Sequence, residues 1–109
     1  MKVSSGFAGG MRMGGTCGAV TGAFMTLGLR HAGDACHTKE ERAGVYARIL
    51  EFARRFQERN GSIVCKELLG CDISTPEGMQ EATDKNLHAT RCVKLIEDAA
   101  AILEDMALE

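Results

Sequence analysis

A chain of 109 residues is the length of one domain and can bury a single modest core. Apolar residues make up 45% and charged residues 26%, ordinary for a soluble globular protein. Thirteen basic against fifteen acidic residues leave a formal charge of −2, which lacks the basic surplus of a general nucleic-acid binder.

The averages hide an asymmetry. All fifteen Asp and Glu residues lie at or after Asp34, and nine of the thirteen glycines fall within the first 33 residues. That opening segment carries only Lys2, Arg12 and Arg30 among its Lys and Arg residues. "MKVSSGFAGG" has no apolar stretch of signal-peptide length. The longest apolar run, 17–29, is too short to span a bilayer and contains three glycines. These features predict a cytoplasmic protein without membrane insertion. Five cysteines is an odd count, unlike the even framework of a secreted disulfide scaffold. In a reducing compartment thiols stay free unless they serve metal binding or redox chemistry. The plainer alternative is that each cysteine is a small core residue.

The first predicted element follows "GGMRMGG". Residues 16–30 read as a helix, with Thr16 as N-cap and Cys17 in the first turn. Gly18 and Gly22 share one face, continued backwards by Gly14, which suggests close approach of another backbone. Val20, Phe24 and Leu27 form a bulkier stripe, and a helix apolar nearly all round is expected to be buried. "HAGDACHTKEER" reads as a turn, then a capping box of Thr38 and Glu41. Helix 39–59 follows, with Val45, Ile49, Phe52, Ala53 and Phe56 at helical spacing, and Asn60-Gly61 ends it. "SIVCKELLGCD" reads as a short helix capped by Ser62 and stopped by Gly70. Thr75 as N-cap and Pro76 at the first helical position open another. The last helix, from about Thr90 to Ala107, carries Cys92, Leu95, Ile96, Ala99, Ile102, Leu103 and Met106. No run alternates with period two. The expected fold is all-α: a small bundle of about three long and two short helices behind a Gly-rich N-terminal segment.

Thiolate is the reactive and ligating form of cysteine, and a helix N-terminus stabilises it. Cys17 stands at such a start with no carboxylate nearby in sequence, so a lowered pKa is expected, aided by Arg12. Cys65 and Cys92 also fall on or near predicted first turns, which together would form one thiol cluster in a positive potential. Cys65 and Cys71 are six apart across Gly70, unlike a C-x-x-C pair, yet a chain reversal there would let them bridge. Such a cluster suits a disulfide pair with a resolving thiol, or a four-sulfur site of Cys17, Cys65, Cys71 and Cys92 for zinc or an iron–sulfur centre.

Weaker signals remain. "GDACH" is half of a haem attachment motif, and surface residues are the better reading of Cys36 and His37. His31, His37 and His88 are ligands by type, yet none forms an i, i+4 pair with another histidine. The Gly-rich loop with Arg12 lacks the phosphate-loop pattern and has no preceding strand. Met11 and Met13 are soft ligands for copper by type, but Met more often fills gaps in a core.

Three blocks carry a resemblance. "GGTCGAVTGAFMTLGL", "GSIVCKELLGCDISTPEG" and "RCVKLIEDAAAILEDM" are similar, in the same order, to the C_GCAxxG_C_C family of proposed redox-active proteins. Cys17-Gly18-Ala19-Val20-Thr21-Gly22 is the signature hexad, while Cys65 and Cys92 match later signature cysteines and Cys71 sits where many members carry one. The resemblance covers nearly the whole chain as one domain, 1–109. It implies a small helical protein with redox-active or metal-binding cysteines and no particular reaction; the residues themselves are read as a disulfide-exchange set of Cys17, Cys65 and Cys92 with an unknown redox partner. The alternative it leaves is a metal site on Cys17, Cys65, Cys71 and Cys92. The family pattern begins with a further cysteine-bearing helix upstream of the glycine stretch, which is not seen here. The glycine face of helix 16–30 is therefore expected to be open, and a homodimer would fill the gap.

Overall fold

The computed structural model describes residues 4–31 and 38–108. Cys36 and His37 lie outside the described residues. Among the described residues there are three long helices, α1 (Gly18–His31), α2 (Lys39–Asn60) and α5 (Val93–Ala107), and two short ones, α3 (Cys65–Leu69) and α4 (Pro76–Asp84). The all-α expectation holds, with the helix count and the short–long pattern as expected.

Local chemistry accounts for most boundaries. The Thr38 hydroxyl accepts the Glu41 N–H at the start of α2, and the Thr75 hydroxyl accepts the Gly78 N–H at the start of α4, where Pro76 has no N–H to lose. α2 and α3 end where Gly61 and Gly70 turn left-handed. Two caps differ from expectation. Thr16 pairs with Val64 in an isolated antiparallel bridge, so Cys17 takes the N-cap position and its carbonyl accepts from Val20 and Thr21. Ser62 sits too early to cap α3. Its hydroxyl instead accepts the Val64 N–H and donates to Glu67, and Val64 is the residue before the helix.

α1, α2 and α5 pack pairwise as an up-down-up bundle. Its core is Val20, Ala23 and Leu27 from α1, Phe52 and Phe56 from α2, and Leu95, Ala99, Ile102 and Met106 from α5, with Leu68 of α3 at one end. Phe52 makes an edge contact with Phe24 and stacks on Phe56, both at 6.0 Å. Outside the core, Lys94 bonds Asn60 and pairs with Asp98, tying the start of α5 to the end of α2. A second cluster of Cys65, Leu69, Cys71, Ile73 and Ala82 packs α3 and α4 across that end of the bundle.

The glycine segment forms a tight arch. Gly9, Gly10, Met11 and Arg12 all have positive φ, one turn of left-handed backbone closed by the Gly15 N–H on the Gly10 carbonyl. Left-handed geometry costs an L-residue about 1–2 kcal/mol, so Met11 and Arg12 are held there by the rest of the arch. A Cβ on Gly14 would stand 2.9 Å from the Asp72 carboxylate. The arch is therefore seated on α3 and the turn after it.

The glycine face of α1 divides in two. A Cβ on Gly18 would lie 3.3 Å from the Ala8 Cα, so the backbone approach expected there is real. Nothing lies within 4 Å of such an atom on Gly22. Met25 and Leu29 are exposed, and Ile96 of α5 is 59% exposed beside them. The expectation that α1 is buried nearly all round is thus corrected, while the open glycine face expected of it is found at Gly22. Among the described residues α1 is covered by α2 and α5 on one side and, at Gly18, by the Phe7–Ala8 backbone, while the face at Gly22, Met25 and Leu29 is open. No helix of the described residues is long and apolar enough to cross a membrane.

Two stability outcomes follow from this packing. Phe52→Ala should cost about 3–5 kcal/mol in denaturant unfolding, because a fully buried ring leaves a cavity between three helices. Gly22→Ala should raise stability by about 0.5–1 kcal/mol, through helix propensity alone. Gly18→Ala should lower it, since the Phe7–Ala8 backbone must shift away from the added methyl group. Equal effects at the two positions would contradict the packing described.

Candidate functional site

The site is built where the chain's two glycine-bounded turns meet. The Cys17 N–H donates to the Ile63 carbonyl at 2.7 Å, and the Cys65 N–H donates to the Gly15 carbonyl at 2.6 Å. These bonds flank the Thr16–Val64 pair. Side chains alternate along each strand of such a pairing, so Cys17 and Cys65, each one residue beyond the paired position, come to one face as diagonal neighbours. Residues 48 apart in sequence are thereby fixed side by side, one at the N-cap of α1 and one as the first residue of α3.

Above them lies an apolar cavity of about 410 Å³ between α1 and α5. Cys17, Cys65 and Cys92 all line it, with Gly22, Leu95 and Ile96 among its walls. No Asp, Glu, Lys or Arg does so among the described residues. Cys17 and Cys65 are buried at 8% and 6% exposure, whereas Cys92 is only half-buried. Cys71 is buried too but does not line the cavity; it packs with Cys65, Ile73 and Ala82 below it. All four are free thiols.

Cys92 departs from the reading that put it at a helix start. It has helical backbone angles and closes a wide π-turn, His88–Cys92, that runs straight into α5. Its own N–H lies inside a helix, so no unpaired helix-end field is focused on its sulfur. The turn is anchored by Arg91, whose Nε donates to the Leu68 carbonyl at 3.0 Å, one of the carbonyls left unpaired at the end of α3. The same turn brings in a residue the sequence reading passed over. His88 lines the cavity mouth, and its Nδ1 stands 3.9 Å from the Cys92 sulfur. The sequence signal for it is the i, i+4 spacing of His88 to a cysteine rather than to another histidine.

The electrostatics also differ from expectation. Burial pushes the Cys65 thiol up from 9.0 to about 11, with the neighbouring sulfurs of Cys17, Cys92 and Cys71 and the Asp72 carboxylate adding to it. Burial raises Cys92 as well, followed by Cys17 and Cys71. The positive potential expected around the cluster is therefore not what governs these two thiols. Desolvation and mutual repulsion of sulfurs oppose ionisation.

Other candidates are not gathered here. Arg12 is exposed and lies outside the cavity lining, and Met13 is exposed on the arch. His31 is at the far end of α1. Among the described residues no group of three or more Cys, His, Asp or Glu is arranged to hold one metal ion. Cys17, Cys65, Cys71 and Cys92 are accordingly not gathered as a four-sulfur site for zinc or an iron–sulfur centre among the described residues.

No curated protein and no solved structure matches the chain. A family model does, over residues 1–106, and its description is "Putative redox-active protein (C_GCAxxG_C_C)". That span takes in the arch, the bridge, the hexad from Cys17 to Gly22 and all the thiols of the cavity. The chain belongs to the C_GCAxxG_C_C family.

Proposed function

We propose that this protein is a thiol–disulfide exchange module that works through Cys17, Cys65 and Cys92. The observation that carries the reading is the backbone bridge that sets Cys17 beside Cys65 at the floor of a cavity also lined by Cys92. Cys17 shares the cavity wall with both Cys65 and Cys92. A disulfide between two of these thiols would return to the dithiol by exchange with a partner thiol, the third sulfur resolving the mixed disulfide. The raised Cys65 and Cys92 thiols stay protonated near neutral pH until substrate enters. Such chemistry belongs in a reducing compartment, and we assign the protein to the cytoplasm on the odd cysteine count.

Mild oxidation of the reduced protein should therefore lower its mass by two hydrogens per oxidised pair, with peptide mapping placing Cys17 in the disulfide. Cys17→Ser should abolish that product. If no cavity cysteine pairs under any disulfide oxidant, the reading fails.

The reduced protein should also carry a pH signature. Cys65 ionises near 9.0 when unfolded and near 11 when folded, so the fold favours the protonated thiol. That contribution is whole below about pH 9 and is lost as pH rises towards 11. Denaturant midpoints of the reduced protein should decline across this window, and Cys65→Ala should flatten the decline.

A further inference from the structure

We infer that His88 is the acid–base partner of Cys92, and that this pair makes Cys92 the thiol that attacks an incoming small disulfide. The inference rests on the exchange function proposed above and assigns its first step. Four observations converge on it. Cys92 is the least buried of the four described cysteines. Its sulfur is 3.9 Å from His88 Nδ1, within reach of a weak sulfur hydrogen bond that a bound substrate can tighten. Among the described residues lining the cavity, His88 is the one side chain that carries a basic nitrogen. The two residues close a π-turn, a local widening of the helix often found at functional sites.

The alignment along α5 explains why the pair faces inward. Leu95, Ala99, Ile102 and Met106 form the buried stripe of the helix. Stepping back along the same stripe gives Cys92 and then His88. Below, this face is core; above, it is cavity wall. His88 itself is exposed at the rim, so it can exchange its proton with water after each turnover.

The chemistry balances as follows. Neutral His88, protonated on Nε2, takes the Cys92 thiol proton on Nδ1. The Cys92 sulfur attacks one sulfur of the disulfide, forming a mixed disulfide and breaking the substrate S–S bond. The departing thiolate takes the proton back from His88 and leaves as a thiol. Cys17 then attacks the Cys92 sulfur and displaces the second thiol with its own proton. One substrate disulfide becomes two thiols, and two protein thiols become one disulfide. A base is needed at Cys92 because its apolar surroundings keep the thiol protonated, and activation by an adjacent base is the general remedy.

The test uses the whole reduced protein and dithiodipyridine, an uncharged disulfide probe whose released thiol is read by absorbance. Rapid acid quenching and peptide mapping should place the first mixed disulfide on Cys92. His88→Gln and His88→Ala should slow its formation at neutral pH by about tenfold or more, as loss of a general base does. Added imidazole should restore the rate of His88→Ala, which a purely structural role for the ring would not allow. A first adduct on Cys17, Cys65 or Cys71, undiminished rates in both His88 variants, or failure of imidazole to restore the rate would overturn the inference. The later protein disulfide is a separate readout. If the Cys92 adduct forms in a His88-dependent way but no protein disulfide follows, the pairing stands and the exchange function fails.

Discussion

Two backbone hydrogen bonds, from Cys17 N–H to Ile63 and from Cys65 N–H to Gly15, hold this molecule's chemistry in place. They join the chain just before α1 to the chain just after α2. Without them, α3 would be a short helix of five residues with little to fix it. With them, the first residue of α3 becomes a neighbour of the N-cap of α1. The bonds use N–H groups at helix starts, which have no intrahelical partner. What is usually left to water or a side-chain cap is here spent on joining two cysteines.

The rest of the cysteine end follows from that join. Leu68 reaches the main core from α3, while Leu69 turns into the second cluster with Cys71 and Ile73. Arg91 then fastens the α5 turn to the α3 end through the Leu68 carbonyl. The glycine arch closes over the other side, with Gly14 against Asp72 and Gly9 against Ile73. Four segments distant in sequence thus surround the same sulfurs. The left-handed backbone of Met11 and Arg12 is held by this enclosure, as strained backbone near functional sites commonly is.

The core itself is continuous with the site. The apolar stripes of α1 and α5 run upward into Cys17 and into Cys92 with His88, so thiols replace hydrocarbon at one end of an ordinary three-helix core. Free cysteine packs as a small hydrophobe, and for that reason the same residues can close a core and still present thiols to the cavity. Burial costs them ionisation, which shows in the raised Cys65 and Cys92. A partner base beside the most exposed of them is the economical answer to that cost.

The helices, their long and short pattern, the caps at Thr38 and Thr75 and the stops at Gly61 and Gly70 were legible in the sequence. Each depends on residues a few positions apart, where spacing and side-chain chemistry suffice. The hexad starting at Cys17 and the two later cysteines were legible as family marks. The tertiary structure alone decided what these marks do. It turned Thr16 from a helix cap into a bridge residue, drew Cys17 and Cys65 together and left Cys71 out of the cavity. It also set Cys92 inside a helix with His88 at its side, and left Gly22 and Ile96 uncovered. Those outcomes depend on which distant segments meet. Burial, which arises only from such meetings, outweighed the helix-end fields that the linear order suggested for Cys65 and Cys92.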